Sequence, residues 1–186
     1  MKTKDLVLIA LFAALTAIGG FLSIPTPTVP FSLQFLFCAY AGVLLGWKNG
    51  MISQALYLAV GLSGLPVFAK GGGIGYVLQP SFGFLLGFVA CAAIIGFIVE
   101  KSSKHGFIRI FTAVSLGLLS TYVTGTVYLY LITNYLAVPG SEITFKTALA
   151  WGVAPFILFD MIKVIIVSAT SAKILPAMSS IGLKNN

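Results

Sequence analysis

Residues 82–99 read FGFLLGFVACAAIIGFIV, 18 positions with no charged side chain and no strong hydrogen-bonding side chain. An uninterrupted apolar run of this length is what a helix needs to cross a bilayer whose hydrocarbon core is about 30 Å thick. The pattern continues outward in both directions. Residues 6–47, 49–69, 71–99 and 110–141 contain no Asp, Glu, Lys or Arg. Each of these stretches reaches the roughly 20 residues of one span, and two of them have room for more than one. Backbone polar groups in lipid must satisfy one another, which leaves helices or a closed barrel. The runs lack strand alternation and are too long for barrel strands, so helices are expected.

The composition agrees. Of 186 residues, 59% are hydrophobic and 8% are charged, against about 25% charged in an average soluble domain; the mean hydropathy is +1.06. The formal charge of +7 invites a nucleic-acid reading. The basic residues sit at the ends of apolar runs rather than in a patch with interleaved polar contacts, so that reading fails. Lys2 and Lys4 before an apolar stretch resemble a signal peptide. The rest of the chain is equally apolar, and the segment is read as the first span. Cys38 and Cys91 have no metal or redox spacing and read as small hydrophobes.

Punctuation divides the chain into six predicted helices. The first covers about Asp5–Ser23, and Pro25, Pro27 and Pro30 confine 24–30 to a loop. The second covers Phe31–Leu45 and the third Met51–Leu62, with Gly46–Gly50 between them. The Gly/Pro-rich stretch 64–80 follows. The fourth covers Phe82–Val99, the fifth about Ile108–Thr133 and the sixth about Leu149–Leu175, with loops at Glu100–Gly106 and Asn134–Lys146. This is an all-α, single-domain, polytopic membrane protein over 1–186. Lys2, Lys4, Lys48, Lys101, Lys104, Arg109, Lys173 and Lys184 fall on one side, and only Lys70 and Lys146 on the other. The positive-inside rule then puts both termini in the cytoplasm. Trp47 and Trp151 fall at predicted interfaces. Helices two and three are short, and short segments border polar cavities because irregular backbone is tolerated only there. The stretch 64–80, with Val67, Phe68, Tyr76 and Leu78, reads as a lid rather than a free loop.

Asp160 and Lys163 are the acid and base inside a predicted span. On a straight helix Asp160 lies roughly 14 Å below Trp151, with Lys163 three residues on and on the same face. A charge at that depth costs several kcal/mol and marks a functional site or an ion pair that fixes packing. In the functional reading Asp160 accepts ligand N–H groups while Lys163 attracts an anion or carbonyl. Gln34 and Gln79 are amides in apolar surroundings, each able to donate and accept. Tyr122 and Tyr128 lie on helix five and can line a pocket or simply pack. His105 is in a loop and receives no role. Ala10 and Ala14, and likewise Ala13 and Ala17, give helix one a stripe of small residues that lets another helix approach, inside the protein or outside it. The glycines at 71–75 precede Tyr76 rather than Gly-Lys-Ser/Thr, so there is no phosphate loop. No metal cluster, cofactor motif or nucleophile–base pair is visible, and no ATPase fits in the loops. Uphill transport would draw on an ion gradient or a partner.

Together these stretches resemble the BioY family, the biotin-specific S components of energy-coupling factor transporters. The resemblance rests on Val29–Gln34 (VPFSLQ), Gly42–Gly46 (GVLLG), Tyr57–Gly61 (YLAVG), Gly64–Phe68 (GLPVF) and the glycines at 71–73. It continues through Pro80–Phe88 (PSFGFLLGF) and Pro155-Phe156 leading to Asp160-Met161-Ile162-Lys163. The chain departs from the pattern at Gln79, where glycine is expected, and at Ser81, where threonine is usual. The resemblance implies a six-helix fold in a prokaryotic plasma membrane, with biotin bound as a ligand rather than a cofactor beneath the outer loops. It implies a membrane-embedded T component and two cytoplasmic ATPases as partners, met through the stripe of helix one. The candidate binding residues are Asp160, Lys163, Gln34, Gln79, Tyr122, Phe31 and Lys70. Two other readings stay open: an intramembrane enzyme with Asp160 and Lys163 as acid–base pair, and a self-sufficient ion-coupled carrier.

Overall fold

The computed structural model describes residues 2–26, 28–101, 106–136 and 142–180. Pro27, Lys104, His105 and Lys184, which entered the loop and charge expectations, lie outside them. Helix α1 spans Thr3–Phe21, α2 Gln34–Leu62, α3 Phe82–Glu100, α4 Phe107–Leu131, α5 Phe145–Gly152 and α6 Ile157–Ser180. A two-residue antiparallel ladder pairs Ser23–Ile24 (β1) with Phe31–Ser32 (β2). That pairing is why the second helix opens at Gln34 and not at Phe31.

The long apolar run of α2 is not one rod. Gly46 sits at φ 81° and ψ 178°, a left-handed conformation that glycine adopts without steric cost. Beyond it the chain reverses. A methyl on Gly50 would lie 3.0 Å from the carbonyl oxygen of Ala41, although nine helical residues span about 13 Å. The Gln34 amide likewise reaches the Tyr57 phenol. Arms 34–45 and 47–62 are therefore antiparallel, roughly 18 and 24 Å long, as the expected short second and third helices require. Among the described residues, four helices are long and apolar enough to cross a membrane, and the pair α5–α6, bent by 50°, makes a fifth if it is taken as one span. The hairpin divides one of these, α2, into two antiparallel arms.

Glycines allow the helices to approach closely. Gly96 of α3 lies against the backbone of Gly46 and Trp47 at the hairpin apex, and Gly42 against Ala92, where a methyl would come within 2.8 Å of its carbonyl oxygen. Helices α1, α2, α3 and α4 pack in chain order, and α6 closes against α4 and α2. Cys38 and Cys91 are free thiols buried in this core.

The expected sixth helix, 149–175, is in fact broken. The amides of Val153 and Ala154 both turn to the carbonyl of Leu149, and Pro155 has no amide to continue the ladder. The residue before a proline is also disfavoured in the α region. Helix α5 therefore stops at Gly152, and α6 starts afresh at Ile157.

The stretch 64–80 is packed down on the bundle. Phe68 is 2% exposed, its ring 5.3 Å from that of Tyr57 and 4.6 Å from that of Tyr76. Tyr128 donates to the carbonyl of Val77, so it anchors this segment. Leu78, grouped with the buried residues on hydropathy alone, is 65% exposed.

Gly96→Ala places a methyl against the backbone of the hairpin apex, which has no flexible side chain to yield. We expect a loss of about 1–3 kcal/mol, read as a lower melting temperature and poorer monodispersity in detergent. Gly75→Ala meets nothing within 4 Å and should melt like the unaltered chain; equal melting of the two variants would refute the close packing at the apex.

Candidate functional site

The break before α6 puts Asp160 in the first turn of that helix rather than in the middle of one continuous span. Its side chain is nonetheless buried and faces a cavity that is partly open to solvent. The walls come from α3 (Phe84, Phe88), α4 (Leu118, Tyr122), the arm 34–45 (Phe35) and the α5–α6 break (Phe156).

One hydrogen-bonded network forms the polar side. Tyr122 Oη donates to Asp160 Oδ2 at 2.7 Å, and Lys163 Nζ donates to Asp160 Oδ1 at 2.7 Å. The same ammonium donates to the Ser32 carbonyl at 2.7 Å. Ser32 Oγ donates to Gln34 Oε1 at 2.9 Å, and Gln34 Nε2 donates to Tyr57 Oη. Each oxygen of the carboxylate thus has a donor, and the cation has two acceptors. Such partners are what offset the desolvation of a buried pair. The structural and functional readings of Asp160 and Lys163 are therefore compatible: they form an ion pair, and both line the cavity.

Of the residues singled out from sequence, Asp160, Lys163, Gln34 and Tyr122 meet at this cavity. Phe31 stands behind it, its ring 4.4 Å from that of Phe156 and 5.4 Å from that of Phe159. Lys70 is exposed on the outer loop and donates to the Thr28 carbonyl at 3.3 Å, which ties the two loops together rather than pointing a charge into the cavity. Gln79 is exposed and outside the lining; it ends the 3-10 turn Ile74–Leu78, and Tyr76 of that turn points inward instead. Tyr76 and Ser81 face each other at 3.3 Å and both line the cavity. On sequence alone Tyr76 reads only as part of the lid and Ser81 only as a departure from the family pattern; neither they nor Ser32, Phe84, Phe88 and Phe156 are among the candidate binding residues named from it. The four-residue spacings Phe84–Phe88, Leu118–Tyr122 and Phe156–Asp160 are the trace they leave, but in so apolar a chain that spacing is everywhere.

The stripe of α1 divides into two faces. Ala13 is buried and Ala17 half-buried against the core, whereas Ala10 and Ala14 are exposed on the outer face with Val7, Leu11 and Ile18.

Comparison with known proteins agrees with this geometry. The model of the BioY family matches residues 1–180. A probable biotin transporter BioY of Lysinibacillus sphaericus is 48% identical over 133 residues, covering 72% of this chain and 68% of that protein. One from Pyrococcus horikoshii is 35% identical over 164 residues, covering 88% and 91%. Among solved structures, the S-component for biotin from an ECF-type ABC transporter superimposes with a TM-score of 0.80 at 29% identity, covering 95% of each chain. With a family match over nearly its whole length and relatives of this similarity, the chain belongs to the BioY family.

Proposed function

We propose that this protein is the membrane-embedded substrate-capture component of an energy-coupling factor importer, and that it binds biotin from the outer side of a prokaryotic plasma membrane. The observation that carries the reading is the Tyr122–Asp160–Lys163–Ser32 network on one wall of an otherwise aromatic and aliphatic cavity. Biotin offers a ureido ring with two N–H donors and a carbonyl, and an apolar thiophane and chain. Asp160 and Gln34 suit the donors, Lys163 suits the carbonyl, and the phenylalanines suit the rest. The names of the relatives support the same ligand.

Orientation follows from which loops share an end. The hairpin apex with Lys48 and the α3–α4 connection, where Arg109 donates to the Ile98 carbonyl at 3.1 Å, lie together. Lys70 and the β1–β2 ladder lie at the opposite end. The lysine-rich end is cytoplasmic by the positive-inside rule, which gives six spans with both termini inside and the cavity under the outer loops. Uptake then needs a membrane-embedded T component and two cytoplasmic ATPases, and the exposed Ala10–Ala14 face of α1 is the docking face. The family is one of transporters, which sets the enzyme reading aside, and no observation favours an ion-coupled carrier.

Purified chain titrated with biotin should bind one equivalent. No heat with biotin, together with clear binding of another vitamin, would end the ligand assignment and leave the fold intact. Asp160→Asn weakens two charge-assisted contacts, worth about 1.5–3 kcal/mol, so affinity should fall roughly 10–100-fold. If the variant unfolds while its folded remainder binds normally, the pair serves packing alone.

The faces of α1 give a separate test. Ala10→Trp or Ala14→Trp should abolish uptake in cells and co-purification of the T component while biotin binding survives. Ala13→Trp should instead lower folded yield, because its methyl is already in the core. Normal uptake with Trp at both outer positions would exclude this face as the docking surface.

A further inference from the structure

Tyr57 is 1% exposed and does not line the cavity, yet its hydroxyl joins a cavity residue to the outer loop. It donates to the carbonyl of Val67 at 3.3 Å. A phenol has one proton, so toward Gln34 the same oxygen can only accept, and it is Gln34 Nε2 that meets it. This holds the amide in one of its two orientations. The nitrogen faces Tyr57 and Gly20 of α1, where a methyl would sit 3.1 Å from Nε2; neither residue lines the cavity. The oxygen faces Ser32, which does. Ser32 Oγ takes one of the two lone pairs of Oε1 at 2.9 Å.

We propose that Tyr57 is a positioning residue that presents Gln34 to the cavity as a hydrogen-bond acceptor, so that the site selects a ligand ring carrying an N–H at that corner. The inference rests on the biotin reading and fixes the polarity of one contact within it. Through Ser32, whose carbonyl accepts from Lys163, the amide belongs to the same corner as the Asp160 carboxylate. That corner then offers two acceptors and one ammonium donor, the complement of a ring with two N–H groups and a carbonyl between them. An amide free to turn would accept or donate with little preference. One held by a phenol rejects a ligand that puts a lone pair there, because both groups are left unpaired.

The test uses the full chain in detergent and three probes: biotin, and the two analogues in which a ring oxygen replaces one or the other ureido N–H. The unaltered chain should bind each analogue about 30-fold or more weakly than biotin. In Tyr57→Phe the Gln34 amide can turn its N–H to a ring oxygen. The discrimination against one of the two analogues should therefore shrink to about threefold, while that against the other, set by Asp160, persists. In Gln34→Leu the loss for that same analogue should be non-additive with the mutation. Undiminished discrimination against both analogues in folded Tyr57→Phe would overturn the proposal. If Tyr57→Phe does not fold, additivity of Gln34→Leu with both analogues overturns it, and non-additivity with one supports it. Absence of biotin binding by the unaltered chain sinks the ligand assignment, and this inference with it.

Discussion

In the hydrocarbon of a bilayer there is no water to receive an unpaired N–H or C=O, and each one left bare costs several kcal/mol. Two breaks in the helices, at Gly46 and before α6, answer to that constraint. The reversal at Gly46 is sealed by the backbone contact with Gly96. The break between α5 and α6 hands two amides to one carbonyl of Leu149 and opens onto the cavity wall through Gly152 and Phe156. Helical order is interrupted where another helix closes over the gap or where a polar cavity begins.

The same constraint explains why the charged pair is networked. Tyr122 and Lys163 each donate to one oxygen of the buried Asp160 side chain, so neither oxygen is left without a partner. Because Lys163 also grips the Ser32 carbonyl, the pair ties α6 to the β1–β2 ladder at the opening of α2. The cavity wall and the β1–β2 ladder are thus joined by one ammonium group. Tyr57 does the corresponding work on the other side, linking the cavity amide to Val67 of the outer segment.

Helix α1 contributes no residue to the cavity lining, and its two faces differ. Its inner face carries Phe12, Ala13 and Thr16 into the core, with Thr16 accepting from Gln54 at 3.2 Å. Its outer face is apolar and of low relief at Ala10 and Ala14. A helix in lipid gains little from hydrophobicity alone, so the docking proposed for this face would rest on close approach between small residues.

The sequence alone determined the class of the protein. Charge-free runs long enough to span, basic residues on one set of loops, glycine and proline at the turns, and an acid three residues before a base in a span are all local properties. They located the hairpin break within Gly46–Gly50, which the structure narrows to Gly46 alone, the segment 64–80, and Asp160, Lys163, Gln34 and Tyr122. Tertiary structure alone decided the rest, because it depends on which faces meet. Hydropathy does not say that α6 starts anew after Pro155, since the flanking residues are apolar on either account. It does not say that Gln79 and Lys70 face outward while Tyr76 and Ser81 turn in, because inside and outside of a loop share one composition. Nor does it separate Ala10 and Ala14 from Ala13 and Ala17: the two pairs have identical chemistry and spacing, and only the packing of α2 against one side of α1 makes one pair core and leaves the other as surface.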